Sequence, residues 1–340
     1  MEINGSRARG LNNRGGVLMP VLLVFALAGL AFLFVAFVRP IKSVDLPIPL
    51  AASPNAKAAT EHFWSVFHGD RYEEIPAVLD KLNKGYDGDK QPVMTNLLGA
   101  AHLWRFQERR RVGRTAPEMR EDLVRAAAYA DRTLAVDPND TFAPAIRVTS
   151  RWQLAVLDGK PDELAAIELE ILDNTQKYPQ FHAFVQGWLL SAMLAPDSPR
   201  YGEAQAGFKL LADSCAGFTT PPNTRFNGLV FAYLAIKAWA TVHLCYNNPV
   251  APHNLESTFL STGDMMVKMG QFDQARIWYG NAQASPTYAT WRYRGVVEER
   301  LASDFKVLQT KYVADSGKLD VADPALSFQS TMGCANCHAQ

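Results

Sequence analysis

The sequence lacks a charge bias, and this absence limits the partners that it can attract. It contains 34 basic and 34 acidic residues, which gives a formal net charge of zero. Nucleic-acid-binding proteins normally carry an excess of Lys and Arg that neutralises phosphates. We therefore expect no nucleic acid among the partners of this chain.

Familiar catalytic signatures are also missing. The sequence contains no G-x-S-x-G, H-E-x-x-H or P-loop pattern, and no pair of carboxylates stands out. The residue alternation that is typical of β-strands is absent as well. These absences predict an all-α protein that is not an enzyme.

Cysteine is scarce, and two of the four cysteines belong to one pattern. Cys334, Cys337 and His338 form a C-x-x-C-H near the C-terminus. Thiols at this spacing can each add to one vinyl group of a haem, and the adjacent His then ligates the iron. A zinc knuckle would need a second Cys/His pair, and a redox C-x-x-C normally opens a helix of a βαβ unit. In these residues the chain resembles c-type cytochromes, which implies one covalent haem c.

The position of this motif differs from that in small soluble cytochromes c. Only two residues follow it, so no distal iron ligand can come from downstream. The sixth ligand must come from the preceding helical body or from another subunit. Within this chain His253 is the first candidate, because it lies on a Pro-flanked loop where packing explains it poorly. Met265, Met266 and Met269 are a second candidate group, although their helical spacing is more typical of a core.

The N-terminal region predicts a membrane anchor. Residues 17–38 are uncharged and apolar, and as a helix they are long enough to cross a hydrocarbon core of about 30 Å. The run is longer than the h-region of a signal peptide, so we expect an uncleaved single-pass helix. Three arginines precede it, and Arg39 and Lys42 follow it, which is only a small bias.

The haem motif indicates the orientation. Bacterial c-type cytochromes acquire their haem outside the inner membrane, so the resemblance implies a cytoplasmic tail at 1–16 and a periplasmic body. In that oxidising compartment Cys215 and Cys245 can form a disulfide, although reduced core thiols are equally consistent with the sequence. Proline-rich residues 39–59 are interpreted as a spacer between the membrane and the body.

Residues 60–312 have helical periodicity throughout, and a C-terminal haem-binding tail at 313–340 follows them. Two stretches of this body resemble tetratricopeptide repeats. The later one has small and large residues at the spacing of that family: Gly263, Met266, Gly270, Phe272, Ala275, Tyr279 and Ala282. The resemblance implies a stack of about five to seven helix pairs that binds other proteins. The alternative is an all-α body without true repeats.

Five arginines at 105, 109, 110, 111 and 114 form the densest charge cluster. A solvated loop is the simplest interpretation, and a surface for a partner, an anionic lipid or a haem propionate is the alternative.

Together these features predict a subunit of a membrane redox complex that transfers electrons through a single haem. It would contact the bilayer through 17–38 and other subunits through its repeats. A scaffold subunit of a respiratory or photosynthetic assembly is the second hypothesis. A haem sensor or enzyme is the third, and it would require an open iron site.

Overall fold

The computed structural model describes residues 53–109, 111, 113–177, 179–216, 219–236 and 253–318. Within these ranges the chain forms helices and no strand, which confirms the all-α prediction for this part of the protein. A short 3₁₀ turn at Tyr72–Glu74 joins the first two helices. In chain order the α-helices are α1 Pro54–His68, α2 Ile75–Gly88, α3 Pro92–Gln107, α4 Ala116–Val136, α5 Ala143–Leu157, α6 Pro161–Lys177, α7 Pro179–Met193, α8 Tyr201–Ala216, α9 Gly228–Ile236, α10 Leu255–Lys268, α11 Phe272–Gln283, α12 Arg294–Ala302 and α13 Phe305–Ala314.

The first helix begins before residue 60, so the predicted boundary between spacer and body is wrong. The side chain of Ser53 accepts a hydrogen bond of 3.2 Å from the backbone N–H of Ala56, and Pro54 occupies the first helical position. Serine at the cap followed by proline is a strong start signal for a helix. Residues 54–59 are therefore helical, although their proline-rich surroundings had suggested a spacer.

Neighbouring helices in the sequence pack against each other from α1 to α8. In addition, α3 contacts α1 and α5, and α5 contacts α7, so these odd-numbered helices form a continuous row. In the C-terminal half α10 takes the central position, because it contacts α8, α11 and α13. None of the helices in the described ranges is both long and apolar enough to cross a membrane.

The hydrophobic core follows the same order along the chain. One cluster joins α1 to α3, a small second one lies among α3, α4 and α5, a third joins α5 to α8, and the largest extends from Phe226 to Tyr312. Single side chains connect adjacent clusters: Ala100 the first two, Phe142 the second and third, and Met269 the third and fourth. The body thus has one continuous core built from local units.

Glycine marks the closest approach in three of the helix pairs. A Cβ on Gly99 of α3 would lie 3.3 Å from the backbone oxygen of Ala126 on α4. A Cβ on Gly187 of α7 would lie 2.9 Å from the backbone of α8, and one on Gly263 of α10 would lie 2.3 Å from the Tyr279 ring on α11. Real Cβ atoms essentially never show contacts of 2.9 or 2.3 Å, and 3.3 Å is tighter than most of them, so these crossings favour a residue without a side chain.

We predict that Gly263→Ala destabilises the protein by at least about 2 kcal/mol, because the new methyl group overlaps a buried ring that a hydrogen bond holds in place. Gly280→Ala on α11 is the matched control, since its methyl group meets no atom within 4 Å. It should be neutral or stabilise the helix by up to about 1 kcal/mol. Urea unfolding of the full-length protein in mild detergent measures both changes, and equal losses would contradict the crossing.

Candidate functional site: the base of the C-terminal tail

The predicted haem residues Cys334, Cys337 and His338 lie outside the described residues, as do the predicted membrane helix at 17–38 and Cys245. The described part of the chain that is closest to the motif in sequence is the end of α13 and residues 315–318. This segment is the base of the predicted tail. Its contacts determine where the tail begins.

One hydrogen bond attaches the base of the tail to the C-terminal end of α7, and a second one from α10 reaches the same end. The backbone N–H of Gly317 donates to the carbonyl of Ala192 at 2.9 Å, and Lys268 Nζ donates to the carbonyl of Ser191 at 2.6 Å. Carbonyls in the last turn of a helix have no partner within the helix and need such donors. Gly317 has a φ of 73°, a left-handed conformation that glycine adopts without strain.

Lys268 is an unusual donor because its side chain is fully buried. Burial lowers the pKa of this ammonium to about 8, although the charge of Asp315 acts in the opposite direction. Its Nζ also lies 5.5 Å from the centre of the Tyr201 ring. At neutral pH the group remains mostly protonated, and a cation at this position complements the negative end of the α7 dipole.

A second buried network fixes the helix that precedes the tail. Asp264 is fully buried on α10 and accepts hydrogen bonds at its Oδ1 from Tyr279 at 2.7 Å and from Tyr312 at 3.1 Å. Arg300 Nε lies 3.4 Å from the same oxygen. The three partners belong to α11, α13 and α12 in that order. One carboxylate therefore holds the last three helices of the described body on α10.

The charges of this network are matched to each other. Burial, and next the charge of Asp264, raise the pKa values of Tyr279 and Tyr312, so both hydroxyls keep their protons and remain donors. Burial alone would lower the pKa of Arg300, but Asp264 reverses this effect and raises it. Arg300 is therefore a permanent cation beside the carboxylate, as a buried acid requires.

Asp264 and Lys268 were not predicted from the sequence, although a signal was present. The two residues are four positions apart on α10, where every residue from Ser261 to Lys268 is buried. Charged side chains inside an apolar helix need buried partners. Such a pair predicts an internal network, but the sequence does not reveal which distant tyrosines and carbonyls complete it.

The candidate distal ligands occupy different environments. Met265 and Met266 are buried in two separate core clusters and Met269 packs between them, which confirms the core interpretation of this group. His253 is half-buried and directly precedes Asn254. The side chain of Asn254 caps α10 by accepting a hydrogen bond of 2.8 Å from the backbone N–H of Ser257. The structure thus leaves His253 as a surface residue at the start of the helix that carries Asp264.

The arginine-rich segment is not a solvated loop, so that prediction is wrong for the arginines with described partners. Arg105 and Arg114 both pair with Asp122, a fully buried residue of α4 that also lies 3.0 Å from His102 Nδ1. Burial would raise the pKa of Asp122, but these partners together lower it. Arg111 forms ion pairs with two other buried acids, Asp70 and Glu108. Three arginines of the cluster, at 105, 111 and 114, are therefore engaged in internal ion pairs.

Comparison of the chain with protein-family models, with curated proteins and with solved structures found no match. The described residues also contain no group of three or more His, Cys, Asp and Glu side chains arranged to hold a metal ion. Within these residues, the networks of the tail base consist of groups that fix positions by hydrogen bonds and charge. These networks attach the last helices and the base of the tail to the rest of the body.

We predict that Asp264→Asn destabilises the protein by about 3–5 kcal/mol, because Arg300 then loses its buried counter-charge. Asparagine keeps an oxygen that can accept hydrogen bonds from the tyrosines, so the loss of stability reports the removal of the carboxylate charge. Asp80→Asn is the control, since Asp80 forms an exposed pair with Lys84 that contributes about 1 kcal/mol at most. Urea unfolding midpoints provide the measurement, and a loss below about 1 kcal/mol for Asp264→Asn would contradict the network.

Proposed function

We propose that this protein is a membrane-anchored monohaem c-type cytochrome subunit that transfers electrons within, or to, a membrane redox complex. The observation that carries the proposal is the C-x-x-C-H of Cys334, Cys337 and His338. In this proposal the two thiols would hold haem c covalently and His338 would ligate the iron. The bound group would supply one-electron redox chemistry, and the chain would position it.

The proposed location follows from the sequence. Residues 17–38 would be the single membrane-spanning helix of a bacterial inner-membrane protein, with its N-terminus in the cytoplasm and its body in the periplasm. Covalent haem attachment in that compartment and the length of the apolar run support this assignment. The bilayer and the other subunits of the complex would be its partners.

The body is proposed to be a stack of tetratricopeptide-like helix pairs that docks the subunit. The support is the recurrence of a glycine at the crossings of α3 with α4, α7 with α8 and α10 with α11. At the last of these crossings Gly263 faces Tyr279, two of the residues at the spacing of the family. Repeats of this kind present extended surfaces to other proteins.

The same helix pairs favour a second function from a different class. A scaffold subunit of a respiratory or photosynthetic assembly would use the pairs to bind other subunits, and its haem would mainly attach the C-terminus. Both functions share the anchor, the body and the motif. They differ in whether the haem accepts and donates electrons during turnover of the complex.

The first test concerns haem attachment. The full-length protein from a host that matures cytochromes c should show haem peroxidase activity on a denaturing gel, because thioether bonds survive denaturation. Cys334→Ala or Cys337→Ala should reduce or abolish the stain while the body remains folded. Cys215→Ala is the matched control and should stain like the wild type. An unstained wild-type protein would refute the cytochrome proposal.

The second test concerns the sixth iron ligand. A relay benefits from iron that stays six-coordinate, so the ferrous protein in its intact complex should be low-spin and bind carbon monoxide poorly. If His253 is the ligand, His253→Ala should convert the protein to rapid, stoichiometric carbon monoxide binding, whereas His62→Ala on α1 should not. Rapid binding by the wild-type complex would instead favour a sensor or an enzyme.

A further inference from the structure

The loop between α1 and the 3₁₀ turn contains a buried carboxylate that is surrounded by donors from distant segments. Asp70 is only 4% exposed, and its φ of 49° is a conformation that few residues other than glycine adopt. Arg111 NH2 lies 2.9 Å from its Oδ1, and Arg292 NH1 lies 2.7 Å from its Oδ2. The hydroxyl of Tyr293 donates to the same Oδ2 at 3.1 Å.

A second buried acid completes this cluster. Glu108, at the end of α3, is fully buried, and Arg111 Nε lies 2.9 Å from its Oε2. Trp104 Nε1 donates to the other oxygen of Glu108 at 3.2 Å. The guanidinium of Arg111 also stacks 3.7 Å from the centre of the Tyr72 ring. Arg111 therefore bridges both carboxylates and is held in one plane by the ring beneath it.

This cluster contains the hydrogen bond that joins the most distant positions in sequence among the described residues. Tyr293 and Asp70 are 223 positions apart, and Arg111 NH1 also donates to the Tyr293 hydroxyl at 3.2 Å. The segment of Arg292 and Tyr293 directly precedes α12, which continues into α13 and the base of the tail. The first helices of the body are thus joined to its last helices through a few charged groups.

We propose that Asp70, Glu108, Arg111, Arg292 and Tyr293 form a charge-operated clasp, the point at which the C-terminal helices open from the N-terminal helices when the protonation state of its two acids changes. Two buried acids face two guanidinium groups, and each acid that ionises loses hydration that these partners must replace. Ion pairs of this kind are costly to break one partner at a time, because the remaining charge stays buried. Opening of the clasp would therefore be concerted.

The titration of the two acids gives the clasp a pH dependence. Burial raises the pKa of Glu108 to about 7, and the charge of Asp70 adds to this effect while Arg111 and Arg292 oppose it. Burial also raises the pKa of Asp70, against Arg111, Arg292 and Tyr293. The closed state thus binds protons more strongly than an open state in which the acids are hydrated. Closing weakens as pH rises from the ordinary carboxylate range towards about 7, and changes little above it.

Other charged groups near the clasp need a separate control. Glu73 raises the pKa of Asp70 slightly, and Arg71 is paired with Glu74 at 2.6 Å. Burial lowers the pKa of His68, two residues before Asp70, to about 4. This histidine acts in the opposite direction, because its contribution to stability increases between about 4 and its ordinary value. A variant that changes Glu108 alone separates the two effects.

Hydrogen–deuterium exchange of the full-length protein in mild detergent tests the clasp. After correction for intrinsic exchange rates, amides of residues 291–302 should open about tenfold more at pH 8 than at pH 5.5. Glu108→Gln keeps an acceptor for Trp104 but removes the titration, so this pH dependence should flatten. Asp70→Asn tolerates the positive φ and removes the second titrating acid, so the pH dependence that remains should be that of Glu108 alone.

Two controls distinguish opening of the clasp from other effects of pH. Asp80→Asn, an exposed acid of α2, should retain the wild-type pH profile. Amides of α5 should show no matching change with pH, since a change shared by the whole body would mean global unfolding. Each of three results would overturn the proposal. They are a tenfold pH dependence of opening that survives in Glu108→Gln, tighter closing at pH 8 than at pH 5.5, and opening that involves every helix equally. If Asp70→Asn does not fold, the Glu108→Gln profile alone decides.

Discussion

Two helices can approach as closely as α10 and α11 do only where one of them has no side chain at the crossing. The ring of Tyr279 fills the position that a Cβ on Gly263 would need, and the same ring places its hydroxyl on Asp264. The close crossing therefore determines the position of the donor and of the network that depends on it. Since α10 also contacts α8 and α13, a wider crossing would displace the whole C-terminal half.

Buried carboxylates connect the parts of the body that apolar packing leaves only locally joined. The hydrophobic clusters mostly link helices that are neighbours in sequence, as expected of a stack of helix pairs. By contrast, Asp70 links residues that are more than two hundred positions apart, and Asp264 collects partners from three helices. Charge thus specifies the long-range arrangement, because a misplaced partner would leave an unpaired buried ion.

Much of the fold is predictable from the sequence because helix periodicity and helix start signals are local. The glycine at 263 and the aromatic residue at 279 were identified from the resemblance to tetratricopeptide repeats, and the structure places them in contact. The start of α1 was missed because prolines in a spacer and a proline at the first position of a helix look alike without the cap of Ser53.

The candidate site was harder to predict because its partners are distant in sequence. An arginine-rich segment looks like a solvated loop when its acids are unknown, and Asp70, Asp122 and Glu108 gave no local sign of being buried together with it. Backbone carbonyls such as that of Ser191 carry no residue-specific signal at all. The C-x-x-C-H pattern is the opposite case, because the haem chemistry predicted for it is contained in five consecutive residues.

The base of the tail bears on which proposed function the chain can perform. A hydrogen bond to the end of α7 holds the chain at Gly317, and from there an extended chain reaches at most about 60 Å to Cys334. An electron relay needs its haem at a defined distance from its donor and acceptor, and a bound on chain length does not define one. The relay therefore requires contacts to the tail beyond Gly317, from the body or from a partner subunit. A scaffold requires only that the tail be retained, which the anchor at α7 already provides.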